Sequence, residues 1–350
     1  MLCVPWVLER AEVTITEPQF ASHTTTSHDG TDVDLEHAKE DVGVFRIKHG
    51  DAKWREHSEA VDKVIGFPKT VTKPISRAYF KLIEIMRTCT IPAPHTSLHI
   101  CEAPGGFVQA TLHEFATTTM AHVMSLRAEG APLLSPTILH SKRVNRLDLP
   151  DSNNLLCRKV RDELVDQVRS VDFVTADGAV DNDAQPHLAE NATAMLIACE
   201  IETALRVQKQ GGTFVLKIFS FSRPITKQLV AILTTCYDTV SIVKPFTSRA
   251  VNDERYIVCQ GFTGNSTFRA PSEPPTPDVP FLERVATVDG KWMAEADQIS
   301  RQLTSTQRNA LRAALTYTSE RVASSRTTSS REGRGGRMRG RGHHPYTSHG

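Results

Sequence analysis

Between residues 74 and 262, short apolar runs alternate with stretches in which apolar residues recur every three or four positions. Short continuous runs bounded by turn residues read as buried strands, and the three-to-four spacing reads as amphipathic helix. Strands are expected near 97–102, 121–126, 171–176, 213–219, 239–243 and 255–262, with a further one near 155–158. Their alternation with helices predicts an α/β fold, a mainly parallel sheet with helices on both faces. In "SLHICEAPGGFVQATLHE" (97–114) one strand runs into two glycines and then a helix that repeats apolar residues at Phe107, Ala110 and Phe115. Open α/β sheets bind ligands beyond the carboxyl ends of their strands. Gly105 and Gly106 let the backbone turn tightly and come close to a nucleoside-containing ligand. Alone, two adjacent glycines are equally an ordinary turn.

Outside that core the pattern changes. Residues 1–45 lack sustained periodicity and read as a loose arm ahead of a domain spanning 46–265. The proline-rich "RAPSEPPTPDVP" marks an extended linker over 266–282. Residues 283–320 form a C-terminal helical element, with two helices expected beyond 291. The net charge of +1 hides an uneven distribution, because residues 321–350 hold seven arginines against one glutamate. That Arg/Gly-rich tail cannot bury enough apolar surface to fold, so it is expected to be disordered and suited to RNA. The seven cysteines include no C-x-x-C pair, which fits reduced thiols in an intracellular protein and gives no reason to expect a metal. No apolar run has the length a bilayer requires, so neither a membrane partner nor secretion is expected.

Four further stretches carry chemistry. "PISRAYFKLIEI" is a helix with Ala78, Leu82 and Ile85 on its core face and Arg77, Lys81 and Glu84 on a polar stripe, where Lys81 would ordinarily pair with Glu84. "VDFVTADGAVD" is a buried strand that ends in Asp177. "GGTFVLKIFS" embeds Lys217 among strand residues, and a buried ammonium is costly unless it is paired or its pKa falls. In "KPFTSRAVNDERYIVCQGF", strand alternation puts Glu254, Tyr256 and Val258 on one face.

Taken together, "SRAYFKL", "CEAPGGF", "TADGAVD", "GGTFVLKIF" and "KPFTSRAVNDERYIVCQGF" resemble the FtsJ-like S-adenosylmethionine-dependent RNA ribose 2′-O-methyltransferases, most closely the mRNA-cap branch. The resemblance spans residues 74–262. It implies a Rossmann-like methyltransferase fold with a seven-stranded sheet whose last strand is antiparallel. It also implies a catalytic Lys-Asp-Lys-Glu tetrad at Lys81, Asp177, Lys217 and Glu254. S-adenosyl-L-methionine would lie over Cys101, Pro104, Gly105, Gly106 and Phe107, with Asp177 close by and Asp148 holding the adenine amino group. Lys217 would be the base or orienting amine, with Lys81 as the neighbouring cation that depresses its pKa. No metal is implied. Two departures from the family pattern, Asp253 where Ser is usual and Ala179 where Gly is usual, leave the tetrad intact.

The implied partner is RNA, foremost capped mRNA methylated at its first transcribed nucleotide, with ribosomal or transfer RNA as the alternative. A slot for a capped guanine needs an aromatic, and Trp54, Phe67, Tyr79 and Phe246 are the candidates. A cellular cap enzyme would be nuclear and a viral one would work in the host cytoplasm; the sequence does not choose between them, nor does it fix an oligomeric state. Two other classes compete. A dinucleotide-dependent dehydrogenase needs a third glycine and an acid about 20 residues on, whereas the region around Ser125 and Leu126 is not acidic. A non-catalytic RNA-binding module would not be expected to keep a buried lysine within a complete tetrad.

Overall fold

The protein, described by a computed structural model over residues 5–21, 33–62, 73–180, 189–272 and 281–316, is organised around one mixed sheet. In chain order its elements begin with β1 (Trp6–Leu8), β2 (Val13–Ala21), α1 (Val33–His49), α2 (Asp51–Asp62) and α3 (Ala78–Thr88). Then come β3 (Thr96–Ile100), α4 (Gly106–Glu114), β4 (Met120–Val123), α5 (Pro136–Leu139), β5 (Val144–Arg146), α6 (Arg158–Gln167) and β6 (Val171–Ala176). The chain continues through α7 (Ala189–Val207), β7 (Gln208–Phe219), α8 (Pro224–Cys236), β8 (Tyr237–Val243), β9 (Glu254–Phe262), β10 (Phe281–Val288) and α9 (Gly290–Leu315).

The main sheet has eight strands in the order β1-β8-β9-β7-β6-β3-β4-β5. Strands β3 to β7 run parallel, and β9 lies antiparallel between β7 and β8. This is the expected seven-stranded sheet with an antiparallel last strand, plus β1. The central strands are apolar on both faces because helices cover both, as a parallel sheet requires. One large core packs Val174, Phe214 and Ile257 with α6, α7 and α8. A second packs Phe173, Val215 and Val258 with Leu82 and Met86 of α3 and Phe107 of α4.

Residues 1–45 are not simply a loose arm. β1 adds antiparallel to β8, Val7 opposite Ser241, and β2 pairs with β10, Val13 opposite Val288. The Trp292 indole N–H donates to the Glu9 carbonyl (2.9 Å), and Glu12 N–H donates to the Asp289 carboxylate (3.0 Å). Leu35 and Ala38 of α1 share a small core with Val251, Leu311 and Ala314. The partners of these segments lie more than 200 residues away in the sequence, so no local period reveals them.

Three other expectations are corrected. The strand near 155–158 does not form; the edge strand is Val144–Arg146, whose only apolar residue is Val144. Among the described residues beyond 291 there is one helix rather than two. Its polar "TSTQ" middle stays helical because Thr304 and Gln307 are buried in tertiary contacts, the Gln307 amide donating to the Val251 carbonyl (3.2 Å). The expected linker begins packed, with Phe268 buried and the Pro271 carbonyl accepting from Arg161 (2.8 Å). Residues 273–280 and the Arg/Gly-rich stretch 321–350 lie outside the described residues, as does Phe67. Among the described residues no helix is long and apolar enough to cross a membrane.

Candidate active site

Three strand ends and one helix bring the four tetrad residues together in two pairs. Asp177 follows the last residue of β6, and its N–H donates to the Ile100 carbonyl on neighbouring β3 (3.2 Å). Lys217 lies near the end of β7, opposite Tyr256, and two positions later Phe219 faces Glu254 at the start of β9. The Lys217 ammonium donates to the Asp177 carbonyl (2.7 Å) and lies 3.1 Å from its Oδ1. Lys81 projects from α3 to Glu254, 2.7 Å from Oε1 and 2.9 Å from Oε2. The ordinary partner for Lys81, Glu84, is engaged elsewhere: its carboxylate accepts the Phe246 and Thr247 N–H groups at 2.8 and 3.0 Å.

Burial sets the electrostatics. It works to raise Glu254, but the charges of Lys81, Lys217 and Lys244 outweigh it and hold this carboxyl down at about 2. Burial wins at Asp177, which is lifted above the ordinary carboxylate range despite Lys217, with the Glu254 charge adding to the rise. At Lys217 burial favours the neutral amine, yet the Asp177 and Glu254 charges, the Asp177 hydrogen bond and Glu200 together raise its pKa. The expected depression by Lys81 is therefore not what the geometry produces, because Lys81 is spent on Glu254 and Lys217 is surrounded by carboxylates.

Asp177 and Lys217 open onto a cavity of about 1590 Å³ beyond the carboxyl ends of β3, β4 and β6. Its walls suit a nucleoside that carries a sulfonium: apolar Leu126, Leu155 and Leu156, amide-bearing Asn153 and Asn154, and the carboxylate of Asp177. Cys101 and Ala103 contribute from the loop after β3. Pro104, Gly105, Gly106 and Phe107 are not among the lining residues. The glycines answer a packing demand. Gly105 has φ +115°, and a Cβ on Gly106 would lie 2.3 Å from the Ser76 hydroxyl and 2.9 Å from Ala78 Cβ. Gly106 thus lets α4 start against the entry to α3. The adjacent Glu102 carboxylate accepts the Phe107 and Val108 N–H groups (2.8 and 2.9 Å), capping α4.

Asp148 stands outside this wall. Its carboxylate is 2.6 Å from Arg127 and largely exposed. Asn153 is the side chain that ties this corner together, donating to the Ser125 carbonyl (3.0 Å) and accepting from Leu149 N–H (2.8 Å). Of the aromatic candidates, Tyr79 is buried and bonded to His113, Trp54 lines the cavity, and Phe246 is 39% exposed. No group of three or more His, Cys, Asp or Glu suited to hold a metal ion occurs among the described residues.

Sequence reasoning missed two groups. The Lys244 ammonium donates to the carbonyls of Asn252 and Glu254 (2.8 Å each) and of Arg249 (3.1 Å), and to the Ser248 hydroxyl (3.1 Å). Ser248 in turn donates to Glu254 Oε1 (3.0 Å). Burial, assisted by the Arg255 charge, brings Lys244 down to about 7. The available signal was a lysine directly after the apolar end of a strand. The second group is Glu200, whose Oε1 accepts Gly178 N–H (3.1 Å) beneath the Asp177 turn and whose pKa burial raises to about 8. An acid inside a helix apolar on two sides was the clue, and it comes so close to Gly178 that a Cβ there would push the Glu200 carboxylate and the Leu196 side chain aside.

The sequence model of the FtsJ-like methyltransferase family matches residues 74–262. The chain is 32% identical over 188 residues to a cap-specific mRNA (nucleoside-2′-O-)-methyltransferase 2 from Danio rerio, covering 49% of this chain and 25% of that protein. It is 28% identical over 260 residues to the protein of the same description from Drosophila melanogaster, covering 65% and 37%. To a cap-specific mRNA (nucleoside-2′-O-)-methyltransferase 1 from Danio rerio it is 40% identical over 93 residues, covering 27% and 11%. The chain therefore spans well under half the length of these relatives.

Proposed function

Because this chain belongs to the FtsJ-like methyltransferase family, we propose that it transfers a methyl group from S-adenosylmethionine to a ribose 2′-hydroxyl of RNA, at the first transcribed nucleotide of capped mRNA. The observation that carries this reading is the Lys217–Asp177 pair on the wall of a cavity at the carboxyl edge of the sheet, with the Lys81–Glu254 pair close enough for its charges to act on Asp177. The cap-specific relatives favour capped mRNA over ribosomal or transfer RNA.

S-adenosylmethionine, when bound, supplies an already electrophilic methyl group. What remains for the protein is to align the acceptor oxygen and manage its proton. Lys217 is the group placed to meet the hydroxyl, with its ammonium fixed by two atoms of Asp177. Its raised pKa makes it a charged donor that orients the oxygen in the resting chain. It becomes a proton acceptor only after losing its own proton. Glu254 balances both Lys81 and Lys217, so that neither ammonium is left unpaired in a buried setting.

Transfer of label from S-adenosylmethionine to short RNAs tests the reading. Capped RNA should accept label, and the same RNA already 2′-O-methylated at the first nucleotide should not. Equal labelling of uncapped RNA would move the substrate to another RNA class, and no labelling of any RNA would refute the reaction.

A further inference from the structure

The cavity is larger than one cofactor needs. Pockets for a single drug-sized ligand occupy about 300–1,000 Å³, against about 1590 Å³ here. One half lies at the strand ends already described. The other is walled by the N-terminal helices, outside the region that matches the family, and nothing assigns that wall a role.

Lys39, Gly43 and Ile47 line the cavity from successive turns of α1, four residues apart and hence on one face. Two contacts fix that face beside the tetrad, and a third holds the loop that it meets. Lys39 Nζ is 2.6 Å from the carboxylate of Asp253, the residue preceding Glu254. Leu35 and Ala38 pack with Val251 of the same loop. Gln307 of α9 donates to the Val251 carbonyl (3.2 Å). The replacement of the family's usual serine by Asp253 thus has a partner on α1. Gly43 is the telling residue. Glycine is the poorest helix former after proline, yet it occupies the interior of α1 at a point where a Cβ would meet no atom of the described residues within 4 Å. Its smallness serves no contact among the described residues, and it leaves the cavity wide.

We propose that the Lys39–Gly43–Ile47 face of α1 is the outer wall of the acceptor subsite, against which the nucleotide to be methylated lies. The inference rests on the methyl-transfer reading for the identity of the ligand. The cofactor half is bounded by strand ends, whereas this half adjoins Val251, Asn252 and Asp253, next to Glu254. Apolar Val42 and Ile47 offer a surface to a base, on the same cavity that Lys217 lines.

Gly43→Phe projects a ring from a point where the Cβ itself is free of described neighbours, and it improves helix propensity; Gly43→Met is a second, more compliant variant. Val44→Phe, at an exposed position outside the cavity lining, is the control. The readouts are anisotropy of labelled capped RNA and calorimetric titration of S-adenosylmethionine. Expected is at least a tenfold weaker RNA affinity for Gly43→Phe, a smaller loss for Gly43→Met, cofactor affinity within twofold, and the control within twofold. Unchanged RNA affinity in Gly43→Phe and Gly43→Met overturns the proposal. Loss of cofactor affinity with RNA affinity kept also overturns it, by giving this wall to the cofactor. Because binding is read directly, a chain that labels no RNA would refute the reaction and still report on the wall.

Discussion

Lys244 and Glu254 are joined twice: the ammonium donates to the Glu254 carbonyl (2.8 Å), and through the Ser248 hydroxyl it reaches the carboxylate that holds Lys81. One half-buried amine thereby fixes both the backbone and the side chain of a tetrad member. Lys244→Met keeps the length of the side chain and removes the donors. Turnover should fall about 100-fold, the scale expected when a reacting group is misplaced by about 1 Å. The KM for the cofactor should change little. Steady-state kinetics with both substrates varied checks this, and an unchanged kcat would sink it.

Lys217→Arg should lose at least about 100-fold in kcat, in line with the usual contribution of a positioned proton-transfer group. The guanidinium keeps its charge and cannot accept a proton, and its planar fork does not fit the two-atom grip of Asp177. Melting temperature and cofactor affinity should stay near those of the natural protein. Near-normal turnover would show that Lys217 contributes charge alone.

Gly106→Val should act through stability. Its side chain would be driven into Ser76 and Ala78, and overpacking of this kind costs about 1–3 kcal/mol. Thermal melting should fall, while the folded fraction titrates with S-adenosylmethionine at nearly normal affinity. A normal melting temperature with lost cofactor affinity would place the glycine at the ligand after all.

Glu200 makes stability depend on pH. Its pKa rises from 4.5 to about 8 on folding because burial disfavours the charged carboxylate. Between these values the native chain binds a proton that the unfolded chain has lost. The stability tied to this group is full below pH 4.5 and is lost as the pH climbs towards and through 8. Glu200→Gln holds the neutral form and can still accept Gly178 N–H. Its advantage over the natural protein should therefore be small at pH 4.5 and grow to the order of a few kcal/mol by pH 9. Denaturant titrations at several pH values decide it, and a difference independent of pH would refute the assignment.

The central sheet was legible because its signals are local. The apolar runs at 171–176 and 213–219 are strands whatever surrounds them, since both faces are covered. The strand at 144–146 was not legible, with one apolar residue in three. The strands at 6–8 and 13–21 each pair with a segment more than 200 residues distant, and the weakly amphipathic helix 33–49 is stabilised by contacts with Val251 and Leu311.

By itself the sequence determined the order of the central elements and the carboxyl edge where the site forms, because strand and helix periods are properties of short stretches. Lys81, Asp177, Lys217 and Glu254 were implied by the resemblance of their motifs to the FtsJ-like family, not by any period. Only the tertiary structure decided who pairs with whom. Lys81 goes to Glu254 and not to its helical neighbour Glu84, Gly106 packs against the entry to α3, Asp148 pairs with Arg127, and the pKa of Lys217 is raised where a depression was expected. Each outcome depends on the sum of charges and contacts brought from distant segments into one low-dielectric space, a sum that no local pattern contains.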